Sequence, residues 1–282
     1  MPGFKRYKKV ASHRAAWLFG MRTFRQAARA RRISEDLERR WGLLRLHCED
    51  QGSRLRLERL LARLSHVDRG GQESAIAELE LATLLIRAGC RVGFLPESQA
   101  RSADLECHLK DEQFFVEVTA MVGTVERSLR LGEETVADGE ETDEGSPTAE
   151  QILMDALCAR ITQKAKQLVD YCAPVVLAIS VPRLDEKTRA ARQSPTIRLD
   201  VKYLAGLISL LLSKLHHMSG VLIALWEVEP QLSTSAVRLS NVTIVERSRQ
   251  QSGYPRLRLL IQNPAASSPL TARQQEALRG IL

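Results

Sequence analysis

Apolar and polar residues alternate through residues 102–120, SADLECHLKDEQFFVEVTA, and this period of two predicts a pair of β-strands. Because successive side chains of a strand point to opposite faces, one face is apolar and predicted to lie in the core. The other face carries three carboxylates, those of Asp104, Glu106 and Glu117. We expect the turn at Asp111 and Glu112, which would make Asp104 and Glu117 diagonal neighbours on adjacent strands.

The chain before this strand pair is predicted to contain helices, and the chain after it alternates between helices and strands. Before it, apolar residues recur at helical spacing between residues 37 and 64, and a second helix leads from residue 73 to Gly89. After it come a helix from about residue 148 to 171, a strand, an apolar helix at 200–217, another strand and a terminal strand pair. This order predicts an α/β fold, with a mixed sheet flanked by helices and an N-terminal helical region.

Charged residues are distributed unevenly along the chain, and their distribution suggests two regions. Residues 1–70 hold 18 Lys and Arg against 7 Asp and Glu, a net charge of +11, whereas the whole chain carries +7. We therefore predict a basic helical region at 1–70 and an α/β domain at 71–282, the latter interrupted by an acidic mobile loop at 131–150. The basic region favours nucleic acid as a partner, since Lys and Arg release counterions from phosphates. A merely solvated helical face is the alternative.

The spacing of the cysteines and the hydropathy of the chain indicate in which compartment the protein is expected. The five cysteines show no metal-ligand spacing, which indicates reduced thiols in a cytoplasmic protein. No uncharged apolar run approaches the roughly 18 residues that a membrane span needs, so no membrane partner is expected.

The clustered carboxylates predict a metal site. Unneutralised carboxylates on one face repel each other, and a hard divalent cation between Asp104 and Glu117 would relieve that repulsion. At this point the sequence resembles the PD-(D/E)XK, or restriction-endonuclease-like, nuclease superfamily. Asp104 matches its Asp, and Glu117-Val118-Thr119 matches its Glu-x-Lys motif, except that Thr119 stands where the lysine belongs.

The resemblance covers roughly residues 73–181 and implies a function. Members use Mg²⁺ or Mn²⁺, here to be held by Asp104 and Glu117 with the Val118 carbonyl as a further ligand. They hydrolyse phosphodiester bonds in nucleic acid, with DNA favoured over RNA. Many nucleases of this fold act on duplexes as dimers, so a homodimer is compatible with the resemblance.

Two helical features agree with it. Holliday-junction resolvases of this superfamily carry a metal-associated Glu about three turns before the Gly that ends the first helix, and Glu78 fits that place. Glu80 is the alternative, and a solvated helix residue is the other interpretation of either. On the later helix, Lys164 falls within an apolar stripe, where a lysine needs a partner.

We expect Lys164 to reach Asp104 or Glu117 and to replace the lysine missing at position 119. Gln167 begins a Gln-x-x-x-Tyr motif that some exonucleases of this fold place on this helix, which implies a role in positioning the nucleic-acid backbone. The sequence thus predicts a metal-dependent nuclease. A catalytically inactive copy that only binds nucleic acid or serves in assembly stays open, as does an ordinary α/β domain with a charged sheet face.

Overall fold

The computed structural model describes residues 24–64, 68–96, 103–121, 147–181, 197–226, 228–231, 239–248 and 254–282. The described helices are α1 (Phe24–His47), α2 (Gln51–Leu64), α3 (Arg69–Arg87), α4 (Ala149–Ala165), α5 (Val201–Leu212) and α6 (Ala272–Gly280). The described strands are β1 (Arg91–Phe94), β2 (Leu105–Leu109), β3 (Glu112–Ala120), β4 (Val175–Val181), β5 (Ile197–Asp200), β6 (Gly220–Leu225), β7 (Val228–Gln231), β8 (Val242–Glu246) and β9 (Leu257–Gln262).

The predicted fold class is confirmed: the chain is α/β, with a mixed sheet flanked by helices. Seven strands form one sheet in the order β1-β2-β3-β4-β6-β9-β8, and β5 pairs with β7 in a small second sheet. Strands β4 and β6 run parallel, whereas β1–β2, β2–β3, β6–β9 and β8–β9 are antiparallel. The restriction-endonuclease-like form of this class stays a prediction. Strands β5 and β7 and helix α6 were not predicted from the sequence.

The chain divides into two compact units. The first unit comprises residues 1–118 and 273–281, and the second comprises residues 119–272 and 282. The division at residue 70 that charge suggests stays a prediction. Of the acidic loop expected at 131–150, residues 131–146 lie outside the described residues, and α4 begins at Ala149 with Thr148 as its cap.

Helix α3 lies in the first unit, and its two ends follow from its sequence. The Asp68 carboxylate accepts hydrogen bonds from the N–H groups of Gly70 and Gly71, which satisfies donors that the first turn leaves without helical partners. At the other end Gly89 adopts φ +88°, in the left-handed region that glycine enters without steric cost. The helix therefore stops at Gly89 as the sequence predicts.

Helices α1 and α2 pack in the first unit with the apolar stripes that their spacing predicts. Leu37, Trp41 and Leu44 of α1 are buried, as are Leu57 and Leu60 of α2. The same part of the chain also covers strand β1, because the Phe94 N–H donates to Ser53 Oγ at 2.8 Å. The Cys48 thiol donates to the Val92 carbonyl at 3.5 Å. Edge strand β1 is therefore capped by side chains from the N-terminal region.

The β2–β3 hairpin differs from its predicted register. Leu109 pairs with Glu112, so the turn consists of Lys110 and Asp111, and Lys110 takes φ +57°. A two-residue hairpin favours positive φ because the twist of such a turn matches that of the strands. The shift moves each partner by two positions, which leaves every side chain on its predicted face. Leu105, Cys107, Phe114 and Val116 are accordingly buried.

The second unit follows the sequence in its main elements. Thr148 and Gln151 form a capping box at the start of α4, and Asp200 caps α5. The paired parallel strands β4 and β6 are buried along most of their length, as expected for strands covered on both faces. Within the described residues, none of the helices has the length and apolar character needed to cross a bilayer.

We predict that Asp68→Ala destabilises the first unit. The substitution removes the acceptor for two N–H groups at the start of α3, and the free energy of unfolding should fall by about 1 kcal/mol. Urea denaturation followed by circular dichroism measures this change. The matched control is Asp155→Ala on the exposed side of α4, where alanine favours the helix and no loss is expected. Equal stability of wild type and Asp68→Ala would contradict the capping role.

Candidate functional site

The side chain of Asp104 links the two strands of the hairpin at the start of β2. The backbone N–H of Asp104 donates to the Val116 carbonyl at 3.1 Å, and the side-chain Oδ2 accepts the Val118 N–H at 2.9 Å. Val118, predicted to offer its carbonyl to a metal, thus also binds Asp104 through its N–H. The carboxylate is half-buried, and its orientation is fixed by the backbone of β3.

Glu78 lies on the buried side of α3, with only 2% of its surface exposed. Both of its carboxylate oxygens accept hydrogen bonds from one side chain, that of Arg56. The Arg56 Nε–Glu78 Oε1 distance is 3.1 Å, and the Nη2–Oε2 distance is 3.2 Å. A two-point contact of this kind with a planar guanidinium is more directional than a single hydrogen bond. Glu78 is therefore held inside the protein, which excludes the solvated-residue interpretation for this position.

Arg56 also reaches Asp104 and so joins the two carboxylates. Its Nη2 donates to Asp104 Oδ1 at 3.0 Å, and the arginine itself is 3% exposed. One guanidinium thereby connects α2, α3 and the start of β2. Arg56 was not predicted from the sequence, although a signal was present: it occupies the apolar side of α2 beside Leu57 and Leu60. An arginine placed there needs a partner, by the same reasoning that applies to Lys164.

Glu117 is the third carboxylate of this cluster. It is 5% exposed on β3 and lies close enough that its charge affects Glu78. Burial, and next the charge of Asp104, raise the pKa of Glu78 from 4.5 to about 8, although Arg56 acts in the opposite direction. Glu117 contributes a smaller increase. The three carboxylates singled out from the sequence thus lie together, and we call Glu78, Asp104 and Glu117 the carboxylate cluster.

The carboxylate cluster does not fit a divalent ion in this arrangement. Both oxygens of Glu78 and both oxygens of Asp104 already accept hydrogen bonds. Among the described residues, no group of three or more His, Cys, Asp or Glu side chains is arranged to hold a metal ion. The positive charge within the cluster comes from Arg56, so this geometry supports no catalytic step through Mg²⁺ or Mn²⁺.

Two other carboxylates named from the sequence belong to separate groups. Glu80, the alternative to Glu78, is half-buried and lies 3.5 Å from Arg40 Nη1, in an ion pair between α3 and α1. Glu106 accepts a hydrogen bond from Gln113 at 2.5 Å and lies 2.9 Å from His108 Nε2. Glu106 thus shares a face with the carboxylate cluster but binds its own strand neighbours.

Lys164 and Gln167 belong to the second unit, where α4 ends sooner than predicted. The helix stops at Ala165, and the Gln167 N–H donates to the Lys164 carbonyl at 2.9 Å in the turn that follows. The expectation that Gln167 and Tyr171 share one helix is therefore wrong. Lys164 is half-buried in the last turn and Lys166 is exposed. A contact of Lys164 with Asp104 or Glu117 stays a prediction.

Comparisons with known proteins identify no relative of this chain. No protein-family model, curated protein sequence or solved structure matches the chain. Function is therefore inferred from the residues and their geometry.

We predict that the stability of the protein falls as pH rises from 4.5 to about 8, because the folded state retains a proton on Glu78 that the unfolded chain releases. The slope contributed by one proton is at most about 1.4 kcal/mol per pH unit. Urea denaturation at a series of pH values measures it. Glu78→Gln should flatten the slope, whereas the exposed control Glu58→Gln should not. Identical slopes in wild type and Glu78→Gln would show that Glu78 does not titrate in this range.

Proposed function

We propose that this chain is a nucleic-acid-binding protein that uses its basic N-terminal helices and does not cleave its ligand. The observation that carries the proposal is the separation of charge, since residues 1–70 carry +11 within a chain whose total is +7. Phosphate backbones attract such a region and gain affinity when Lys and Arg displace their counterions. DNA is favoured over RNA by the resemblance to the nuclease superfamily.

The described part of the N-terminal region supports this proposal with outward-facing arginines. Arg39 and Arg45 of α1 and Arg54 and Arg59 of α2 are exposed. Arg56, between the last two, points to the opposite side of α2 and is buried. Of the four arginines of α2, Arg56 is committed to the interior, Arg63 is half-buried, and the other two are exposed and can bind phosphates. The basic residues of 1–23 lie outside the described residues.

The absence of cleavage is proposed because the carboxylate cluster already contains a cation. A nuclease of the type that the sequence resembles would hold a metal on Asp104 and Glu117, but Asp104 is bound to Arg56 and to the Val118 N–H. The buried guanidinium makes three hydrogen bonds to carboxylates, and its release would leave buried negative charges without their compensating cation.

A metal-dependent nuclease is the second candidate function, and a specific observation favours it. Glu78, Asp104 and Glu117 were singled out from the sequence as metal-site residues, and they do lie together in the first unit. This candidate requires Arg56 to leave the carboxylates before Mg²⁺ or Mn²⁺ binds.

The homodimer and the cytoplasmic location expected from the sequence stay predictions.

Substitution of the exposed arginines tests the binding proposal. Arg54→Ala combined with Arg59→Ala should weaken binding to duplex DNA and reduce the slope of log K against log salt by about 0.9 for each phosphate that is no longer neutralised. Fluorescence anisotropy over a range of salt concentrations measures both effects. The matched control is Arg198→Ala with Arg279→Ala, which removes two exposed arginines outside the basic region. An equal change of slope in the control pair would contradict a binding surface on α2.

A cleavage assay separates the two candidate functions. Wild-type protein should leave plasmid, linear duplex, single-stranded DNA and RNA intact in the presence of Mg²⁺ or Mn²⁺, because Arg56 occupies the carboxylates. Asp104→Asn and Glu117→Gln should then change neither product formation nor DNA affinity. Metal-dependent cleavage by the wild type that both substitutions abolish would replace this proposal with the nuclease.

A further inference from the structure

Two of the carboxylates expected to hold a metal, those of Glu78 and Asp104, instead bind a guanidinium. Arg56 lies 3.1 and 3.2 Å from the two oxygens of Glu78 and 3.0 Å from Asp104 Oδ1. The second oxygen of Asp104 accepts the Val118 N–H at 2.9 Å. Each of these four oxygens thus already accepts a hydrogen bond, three of them from Arg56, and an ion bound to them would lie beside the guanidinium.

The positive charge of the arginine opposes the binding of a divalent ion beside it. The guanidinium stays protonated at any relevant pH and cannot relieve the conflict by losing its charge. Its side chain is only 3% exposed, so solvent would screen little of the repulsion between it and an incoming ion. Without a cation, on the other hand, the ionised carboxylates of the cluster would repel each other. The ionised cluster therefore needs a cation, and Arg56 supplies one.

We infer that Arg56 is a built-in cation that takes the place of a divalent metal ion among Glu78, Asp104 and Glu117, so that the intact chain binds no such ion there. The role assigned to Arg56 differs from that expected of Lys164, which was to assist a bound metal. Arg56 itself pairs with Glu78 and Asp104 and thereby fixes α2 against α3 and the hairpin. These are the carboxylates of the nuclease candidate, and their occupation by Arg56 does not depend on nucleic-acid binding.

Removal of the guanidinium tests this inference directly. Arg56→Met keeps a long side chain but deletes the charge, and the vacated cluster should then bind Mn²⁺. Isothermal titration calorimetry should show saturable binding to Arg56→Met, and Mn²⁺ should raise its unfolding temperature. Wild type should show neither effect. The matched control is Arg54→Met, the same substitution two residues away on the exposed side of α2, which should behave as wild type.

Two further variants locate the ion and guard against loss of folding. Adding Asp104→Asn to Arg56→Met should abolish Mn²⁺ binding, which places the ion in the cluster. If Arg56→Met does not fold, Arg56→Met with Glu78→Gln removes one negative charge together with the positive one, and the same titration is performed on that protein.

Two results would overturn the inference. The first is saturable Mn²⁺ binding by the wild type that Asp104→Asn removes, because Arg56 would then coexist with an ion. The second is a folded protein lacking Arg56 that binds no Mn²⁺. Since no nucleic acid enters these experiments, their failure is distinguishable from failure of the binding proposal.

Discussion

The guanidinium of Arg56 holds together elements that are far apart in the sequence. It binds Glu78, 22 residues away on α3, and Asp104, 48 residues away at the start of β2. Loss of one partner from such a buried charged group costs about 3–5 kcal/mol, because the remaining charge stays buried without compensation. The position of α2, the burial of Glu78 and the orientation of Asp104 therefore depend on one another.

The α/β fold could be predicted because its signals are local and repeated. Alternation through β2 and β3 identified both the strands and the buried face, and Phe114 and Val116 are buried as expected. Gly89 ends α3, since a positive φ at this position suits glycine. The hairpin register was wrong by two positions because the turn was placed one residue too late, at Asp111 and Glu112 in place of Lys110 and Asp111. A register shift of two residues leaves each side chain on the same face of the sheet, so the alternation of apolar and polar residues does not reveal it.

The candidate site was predicted only in part. Asp104 and Glu117 could be found because they share the polar face of an alternating pattern, and Glu78 because of its distance from Gly89. Arg56 could not be assigned to them, because it comes from a helix whose packing against α3 no local pattern encodes. The sequence around Arg56 is rich in arginine, and charge alone does not distinguish the buried one from its exposed neighbours Arg54 and Arg59. Lys164 was singled out because it falls within the apolar stripe of α4, where a lysine needs a partner.

The two edge strands of the seven-stranded sheet, β1 and β8, differ in how their outer backbone groups are covered. Ser53 accepts the Phe94 N–H and Cys48 donates to the Val92 carbonyl, so two backbone groups that an added strand would need are already engaged. At the other margin the sheet ends with β8 in the described part of the chain. Exposed sheet margins are where separate chains join through backbone hydrogen bonds. Addition of a strand on the β1 side would therefore require Ser53 and Cys48 to release these two backbone groups.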